Sequence, residues 1–395
     1  MSVILRWLFD LLLRFLRTID LPLLGALLAL MAIGLAVLYS AGNESMHLVY
    51  AQGARFAVGL GALWALSRVQ PTRLRHWTPL VYALSLLPLL LVLLVGEGKH
   101  GNHWINLGVF YFQPSEVLKL SLPMMLAWYL HREPLPPRIK TVLVGGVLIG
   151  VPFGLILMQP DFGTGMLVAA SGVFALFLAG LSWWWFVAAL GGVAAIAPVA
   201  WFWLLKQYQK DRILTFLNPE TDPLGTGWNI IQSKIAIGAG GLSGKGWGQG
   251  SQSHLDYLPE HTTDFIFAVL SEEFGWFGVA LVLALYLFVI GRCLYIAAEA
   301  RDTYSRVLAG TVGLAIFVYV IVNGGMISGL LPVVGVPMPL LSYGGTSAVS
   351  LLAGLGVVMS KCSSLPRANN CPSSSRKNAS RRFSRGILAG SLVRG

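Results

Sequence analysis

Apolar residues fill long unbroken runs along this chain, and polar residues are confined to the stretches between them. Ten runs can be marked, at 21–40, 49–67, 77–95, 114–130, 141–158, 163–180, 183–205, 265–291, 307–327 and 341–360. Their lengths suit the roughly 17–25 residues that a helix needs to cross the hydrocarbon core of a bilayer. None shows the alternation of a membrane barrel strand, and backbone groups in lipid must bond within their own segment, so helices are predicted. The pattern therefore predicts an all-α polytopic membrane protein with ten transmembrane helices. One long extracytoplasmic loop, 206–264, lies between helices seven and eight.

Composition agrees: 55% of the 395 residues are hydrophobic, only 11% are charged, and the mean hydropathy is +0.70. The placement of Lys and Arg sets the orientation. Arg6, Arg14 and Arg17 precede the first run; Arg68, Arg73 and Arg75 follow the second; Arg132, Arg138 and Lys140 follow the fourth; Arg292, Arg301 and Arg306 follow the eighth. With ten spans these all fall on one side, as does the basic tail, so both termini are predicted to be cytoplasmic. The net charge of +11 thus reflects topology. Because the basic residues are scattered over several loops, no nucleic-acid partner is expected. Residues 1–20 alternate Leu, Phe and Trp with Arg and suit an amphipathic helix on the inner surface. The first apolar run is long and lacks a cleavage site, so it is expected to stay as an anchor. The three cysteines all fall on the reducing side and predict no disulfide framework. The membrane domain is 21–360, and the Ser- and Arg-rich tail 361–395 is predicted to be disordered.

The candidate chemistry gathers on the exported side. Residues 254–277, HLDYLPEHTTDFIFAVLSEEFGWF, start polar, carry Glu260, His261 and Asp264, and turn apolar at Phe265. Ionisable groups at the mouth of a membrane helix are costly and therefore functional candidates. The plainer alternative is that Asp264 or Thr263 merely caps the helix. In GEGKHGNHWINLGVFYFQPSEVLKL, Trp104 and Tyr111 suit interface anchoring, and QPSE starts a helix with Glu116 in its first turn. Glu116 and Lys119 stand three apart on one helical face and predict an ion pair, either structural or substrate-binding. Asp161 in QPDFGTG lies near the outer surface and could cap the sixth helix. Arg55, about two turns into the second run, either snorkels to the headgroups or binds an anion.

The long loop brings Lys206, Lys210 and Arg212 to the surface. The following WNIIQSKIAIG has helical apolar spacing that suits lying on the membrane. The glycine-rich run around Lys245 could cradle a phosphate with its backbone N–H groups, although it lacks the P-loop pattern and a flexible loop is the plainer reading. The last outer loop leads Ser342, Tyr343 and Thr346 into the tenth run beside two glycines. Carboxylates, cations and hydroxyls at headgroup depth suit a substrate with a lipid tail, a phosphate link and a polar head. One carboxylate could take a proton from an attacking hydroxyl while cations hold the phosphates. A lipid transporter is the alternative, but transporters place their charged site near the midplane, whereas these charges crowd the outer edge.

Four segments, WINLGVFYFQPSEVLKL, QPDFGTG, LPEHTTDFIFAVLSEEFG and NGGMISGLLPVVGVPMPLLSYGGTS, occur in this order. They resemble the SEDS family of cell-wall glycosyltransferases, over about residues 20–360. WINLG, HLDYLPEHTTDF and SGLLPVVGVPMPLLSYGG resemble its elongation members more than its division members. The resemblance implies polymerisation of lipid II into glycan strands for cell elongation and rod shape, with release of undecaprenyl pyrophosphate; a lipid II flippase is the competing activity. It places Asp264 on the family's essential acidic residue, as the base. Arg212, Lys119, Lys245 and Arg55 become candidates to hold the pyrophosphate, and Glu116, Asp161, Trp104, Glu260, His261, Ser342 and Thr346 complete the expected substrate site. It implies a class B penicillin-binding protein as partner, among other elongation-complex membrane proteins and membrane lipid. The location implied is the cytoplasmic (inner) membrane, with the site facing outward. No cofactor is implied, though a divalent cation such as magnesium could assist the pyrophosphate; no dedicated metal site is visible. The tail departs from the family in length and is either an altered reading frame or a natural extension.

Overall fold

The computed structural model describes residues 19–95, 104–106, 111–204, 207–218, 226–254 and 260–360. The N-terminal amphipathic segment and the basic tail lie outside the described residues. Each of the ten apolar runs holds a helix: α1 (Leu21–Ala41), α2 (Met46–Ser67), α3 (Pro71–Val95), α4 (Ser115–Arg132), α5 (Ile139–Met158), α6 (Phe162–Leu178), α7 (Trp183–Val199), α11 (Ile266–Glu299), α12 (Thr303–Ile327) and α13 (Thr346–Met359). Three more, α8 (Gln207–Leu217), α9 (Thr226–Gly240) and the short α10 (Ser251–His254), occupy the long loop. A two-residue antiparallel pair, β1 (Ile105–Asn106) with β2 (Tyr111–Phe112), precedes α4.

Among the described residues, α1, α3, α5, α11 and α12 are both long and apolar enough to cross a membrane. α6, α7 and α13 are apolar but shorter. α2 and α4 are long and carry Arg55 and the Glu116–Lys119 pair. Large apolar side chains such as Leu94, Leu143, Val147 and Trp203 point outward, as expected of a bundle whose solvent is lipid.

Helix starts follow local chemistry. Asp20, Asp161 and Asp302 accept bonds from the backbone N–H groups of Leu23, Thr164 and Ser305, which satisfies donors otherwise orphaned in the first turn. α12 forms the centre of the bundle, packed against α4, α6 and α11, with α13 also touching it and α2 laid along α13.

Two departures from the apolar pattern matter. The tenth run begins at 341, but its helix starts only at Thr346. Pro332, Pro337 and Pro339 deny helical N–H donors, and Gly335 and Leu340 adopt positive φ (74° and 63°). Residues 331–345 instead form an irregular loop that sinks into one end of the bundle, burying Val336, Met338, Leu340 and Leu341. Its apolarity reports burial in protein. The second departure is α9, which was expected to suit the membrane surface. It packs on α11 and α12 with Ile230 and Ala236 buried, and the Ser233 hydroxyl donates to the Ile327 carbonyl (2.8 Å).

Candidate functional site

The sunken loop is also the floor of the site. Its backbone polar groups are taken up by neighbouring elements, as burial requires. The Asn323 amide donates to the Val336 carbonyl (2.7 Å), Gln52 donates to the Ser342 carbonyl (3.3 Å), and Tyr286 donates to the Pro339 carbonyl. The Tyr343 N–H donates to the Thr262 carbonyl (2.9 Å), which stitches the loop to the turn carrying Asp264.

That turn runs from Glu260 to Phe265 and is closed by the Thr263 N–H and the Phe265 N–H on the Glu260 carbonyl. Asn323 donates to the Asp264 carbonyl as well (2.9 Å), so one amide holds both the turn and the floor. The N-cap of α11 is Phe265, with no side-chain cap bond, so neither Asp264 nor Thr263 serves as the cap that the sequence allowed. Among the described residues the Asp264 carboxylate has no hydrogen-bond or ion-pair partner. Burial, and then the nearby Glu260 charge, push its pKa from 3.8 up to about 6. A carboxylate so placed is a stronger base than a solvated one and is still ionised near neutral pH.

The Glu116–Lys119 pair forms as expected, at 2.6 Å, with both side chains largely out of solvent. Ser350 donates to the other Glu116 oxygen (3.0 Å), and the ammonium lies 5.1 Å from the centroid of the Tyr319 ring. Together with Tyr319, Pro339 and Ser347 they line a small, partly open pocket between α4, α12 and α13, whose remaining walls are mainly aliphatic. Tyr319 and Asn323 are one turn apart on one face of α12, about 6 Å between Cβ atoms. Val336 packs against Tyr319. The ion pair and Asp264 are thus joined through a single helical turn and the floor loop.

Other expected residues take varied places. Arg55 stacks over the Tyr343 ring (4.2 Å) and donates to its hydroxyl (3.0 Å), so it borders the floor. Asp161 caps α6 and also accepts from Gln113 (3.1 Å), tying α6 to the start of α4. Glu260 is exposed, with its carboxylate accepting from Thr263 (2.8 Å), and His261 shares the turn, partly buried. Trp104 leads into the β1–β2 hairpin. Arg212 lies on α8. Thr346 opens α13, and its buried hydroxyl has no bond among the described residues.

Two expectations are corrected. The Ser342 hydroxyl is buried and accepts from the Met338 N–H (2.7 Å), so it shapes the floor and is not presented to a ligand. The glycine-rich run around Lys245 is not a phosphate cradle. The N–H groups of Lys245 and Gly246 donate to the Glu272 and Glu273 carbonyls (both 3.0 Å), and the Lys245 ammonium pairs with Glu272 at 2.6 Å. The donors at Lys245 and Gly246 are thus consumed by the protein.

Sequence reasoning missed Asn323, Tyr319, Ser350 and Glu272 as site residues. Tyr319 and Asn323 were visible as polar groups at helical spacing within an apolar run. Ser350 and Glu272 gave no signal beyond their polarity. Among the described residues no three His, Cys, Asp or Glu side chains stand together as a metal-binding group.

The fold and site define a multi-pass helical membrane protein with a desolvated carboxylate and a buried ion pair beside an apolar cavity. The chain belongs to the FtsW/RodA/SpoVE family, whose model, described as "Cell cycle protein", matches residues 13–364. It is 47% identical to the peptidoglycan glycosyltransferase MrdB of Escherichia coli K12 over 87% of this chain and 93% of that protein. It is 33% identical to the peptidoglycan glycosyltransferase RodA of Treponema pallidum, over 86% and 96% of the two chains. Among solved structures, a chain of a peptidoglycan synthase complex that coordinates polymerization and crosslinking superposes with a TM-score of 0.77 at 33% identity, covering 87% of this chain and 97% of that one. The rod shape determining protein RodA of Thermus thermophilus superposes at 0.67 with 29% identity, over 87% and 96%.

Proposed function

We propose that this protein is a peptidoglycan glycosyltransferase of the elongation type, polymerising lipid II into glycan strands with Asp264 as the general base. In this reading Asp264 takes the proton from the 4-hydroxyl of the acceptor's N-acetylglucosamine. The freed oxygen attacks the anomeric carbon of the donor's N-acetylmuramic acid, a new C–O bond forms, and the bond to the pyrophosphate breaks. Undecaprenyl pyrophosphate leaves with the electron pair. Lys119 and Arg55, which border the floor loop, hold the departing pyrophosphate, with Arg212 of α8 as a further candidate. The aliphatic walls of the cavity suit an isoprenoid tail. A divalent cation such as magnesium assists the departing pyrophosphate in this reading.

The same reading has all ten helices crossing the inner membrane, both termini cytoplasmic, and the site on the exported side. The partner is a class B penicillin-binding protein that cross-links the strands. The observation that carries the proposal is Asp264: its carboxylate is desolvated and without a partner among the described residues, and its backbone carbonyl is held by Asn323, one turn from the Tyr319 ring that lies beside Lys119. The test is polymerisation of lipid II by purified protein in detergent, with and without penicillin. Detergent has no two sides, so a flippase would make no polymer. Penicillin-insensitive polymer from the wild type, absent from Asp264→Asn, is the expected result. Absence of polymer even with the partner present, together with lipid II flipping in vesicles, would overturn it.

A further inference from the structure

The corrected role of Lys245 leads further. Glu272 lies in α11, eight residues after Asp264, and its side chain is completely buried. One carboxylate at this position gathers donors from Lys245, Ser251 and Gln252. Oε1 accepts from the Lys245 ammonium (2.6 Å), the Ser251 N–H (3.0 Å) and the Ser251 hydroxyl (3.0 Å). Oε2 accepts from the Gln252 N–H (3.2 Å). Lys245 in turn reaches the Ser251 hydroxyl (2.8 Å).

The main chain repeats the attachment. Lys245 and Gly246 donate to the Glu272 and Glu273 carbonyls, while Trp276 and Phe277 donate back to Gly241 and Leu242 (3.0 and 3.2 Å). These last two donors are free to do so because α11 is broken at Gly275, at φ 61° and ψ −159°. A Cβ on Gly240, Gly244 or Gly275 would collide with backbone across this contact. These three glycines are therefore required for backbone-to-backbone docking.

We infer that Glu272 is a positioning residue, the latch through which the 241–252 loop is fixed to the first turns of α11 and braces the helix that begins two residues after Asp264. The inference rests on the polymerase reading for its catalytic consequence, and on these contacts alone for the latch. A buried carboxylate with four donors holds each of them in place, and removing its charge leaves the lysine without its counter-ion. Geometry errors of about 1 Å at a reacting group cost on the order of a hundredfold in rate.

The test uses the full-length protein in detergent with lipid II, in the variants Glu272→Gln, Lys245→Met, Lys245→Arg, Ser251→Ala and the Glu272→Gln/Lys245→Met double. Glu272→Gln and Lys245→Met should each lower kcat by about tenfold or more with KM unchanged within about twofold. The double variant should be no worse than Glu272→Gln, since both break one interaction. Lys245→Arg should retain kcat, and Ser251→Ala, the mildest change, should show a smaller kcat loss if Glu272→Gln does not fold. Trypsin cleavage after Lys245 should be at least about tenfold faster in Glu272→Gln than in the wild type when each is digested equally far below its own melting temperature. A raised KM with intact kcat in Lys245→Met would return the lysine to a substrate-holding role and overturn the latch. So would wild-type kcat and wild-type cleavage in Glu272→Gln. If the wild type makes no polymer, the polymerase reading fails, and the cleavage rates still decide the latch.

Discussion

Replacing Asp264 by Asn tests the catalytic assignment and its energetics together. Asn is nearly isosteric and cannot ionise. In the native protein the acid is weaker than in the unfolded chain, about 6 against 3.8, so the folded state binds the proton more tightly. The folded protein is therefore best served below about pH 4, where the group is protonated in both states. It loses stability as pH rises from about 4 to about 6, and the penalty persists above that. At about 1.4 kcal/mol for each tenfold change in acidity, the ceiling is about 3 kcal/mol. Because the side chain keeps some exposure, roughly 1–2 kcal/mol is the expected size. Asp264→Asn should thus melt a few degrees higher than the wild type at pH 7.5, and the difference should vanish near pH 4. Polymerisation should fall by about 10²–10⁴-fold. Wild-type turnover should decline about tenfold per pH unit below about 6. The assays are thermal unfolding in detergent and polymer yield from lipid II across pH 4.5–8. An Asn variant that is active, or less stable than the wild type at pH 7.5, or a wild-type rate flat between pH 5 and 7, would refute the reasoning.

The Glu116–Lys119 pair gives a second prediction. Glu116→Gln or Lys119→Met alone leaves an uncompensated buried charge and should destabilise by about 3–5 kcal/mol, whereas the double variant should recover stability but stay inactive; regained polymerisation would reduce the pair to scaffolding. For topology, in a cysteine-free background, Ser243→Cys should react with an impermeant thiol reagent added outside spheroplasts and Arg301→Cys should not, both positions being exposed; the reverse pattern would overturn the orientation. Gly163 faces Val334 with no room for a Cβ, so Gly163→Ala should displace the floor loop and lower kcat by about tenfold or more while the bundle stays folded, and unchanged kcat would show that the floor can move freely.

The placement of the ten helices was legible in the sequence because lipid and protein interior alike demand long apolar runs. The ion pair was legible too, since two opposite charges three apart on a membrane helix have few other partners. Asp264 stood out because an acid beside an apolar run is expensive wherever it lies. Three things needed the tertiary structure. Apolarity at 331–345 reads the same whether the segment faces lipid or sinks into the bundle, and only the packing of Val336 and Met338 distinguished them. A glycine-rich loop looks alike whether its N–H groups await an anion or dock on a broken helix, and the Gly275 break that decides it lies about thirty residues further on. The roles of Asn323, which holds residues 59 and 13 positions away, and of Glu272, which gathers donors 20–27 positions away, come from chain closure. Hydrogen bonds at such separations leave no periodic trace in the sequence, because periodicity records only which face of an element is buried and never which partner it meets.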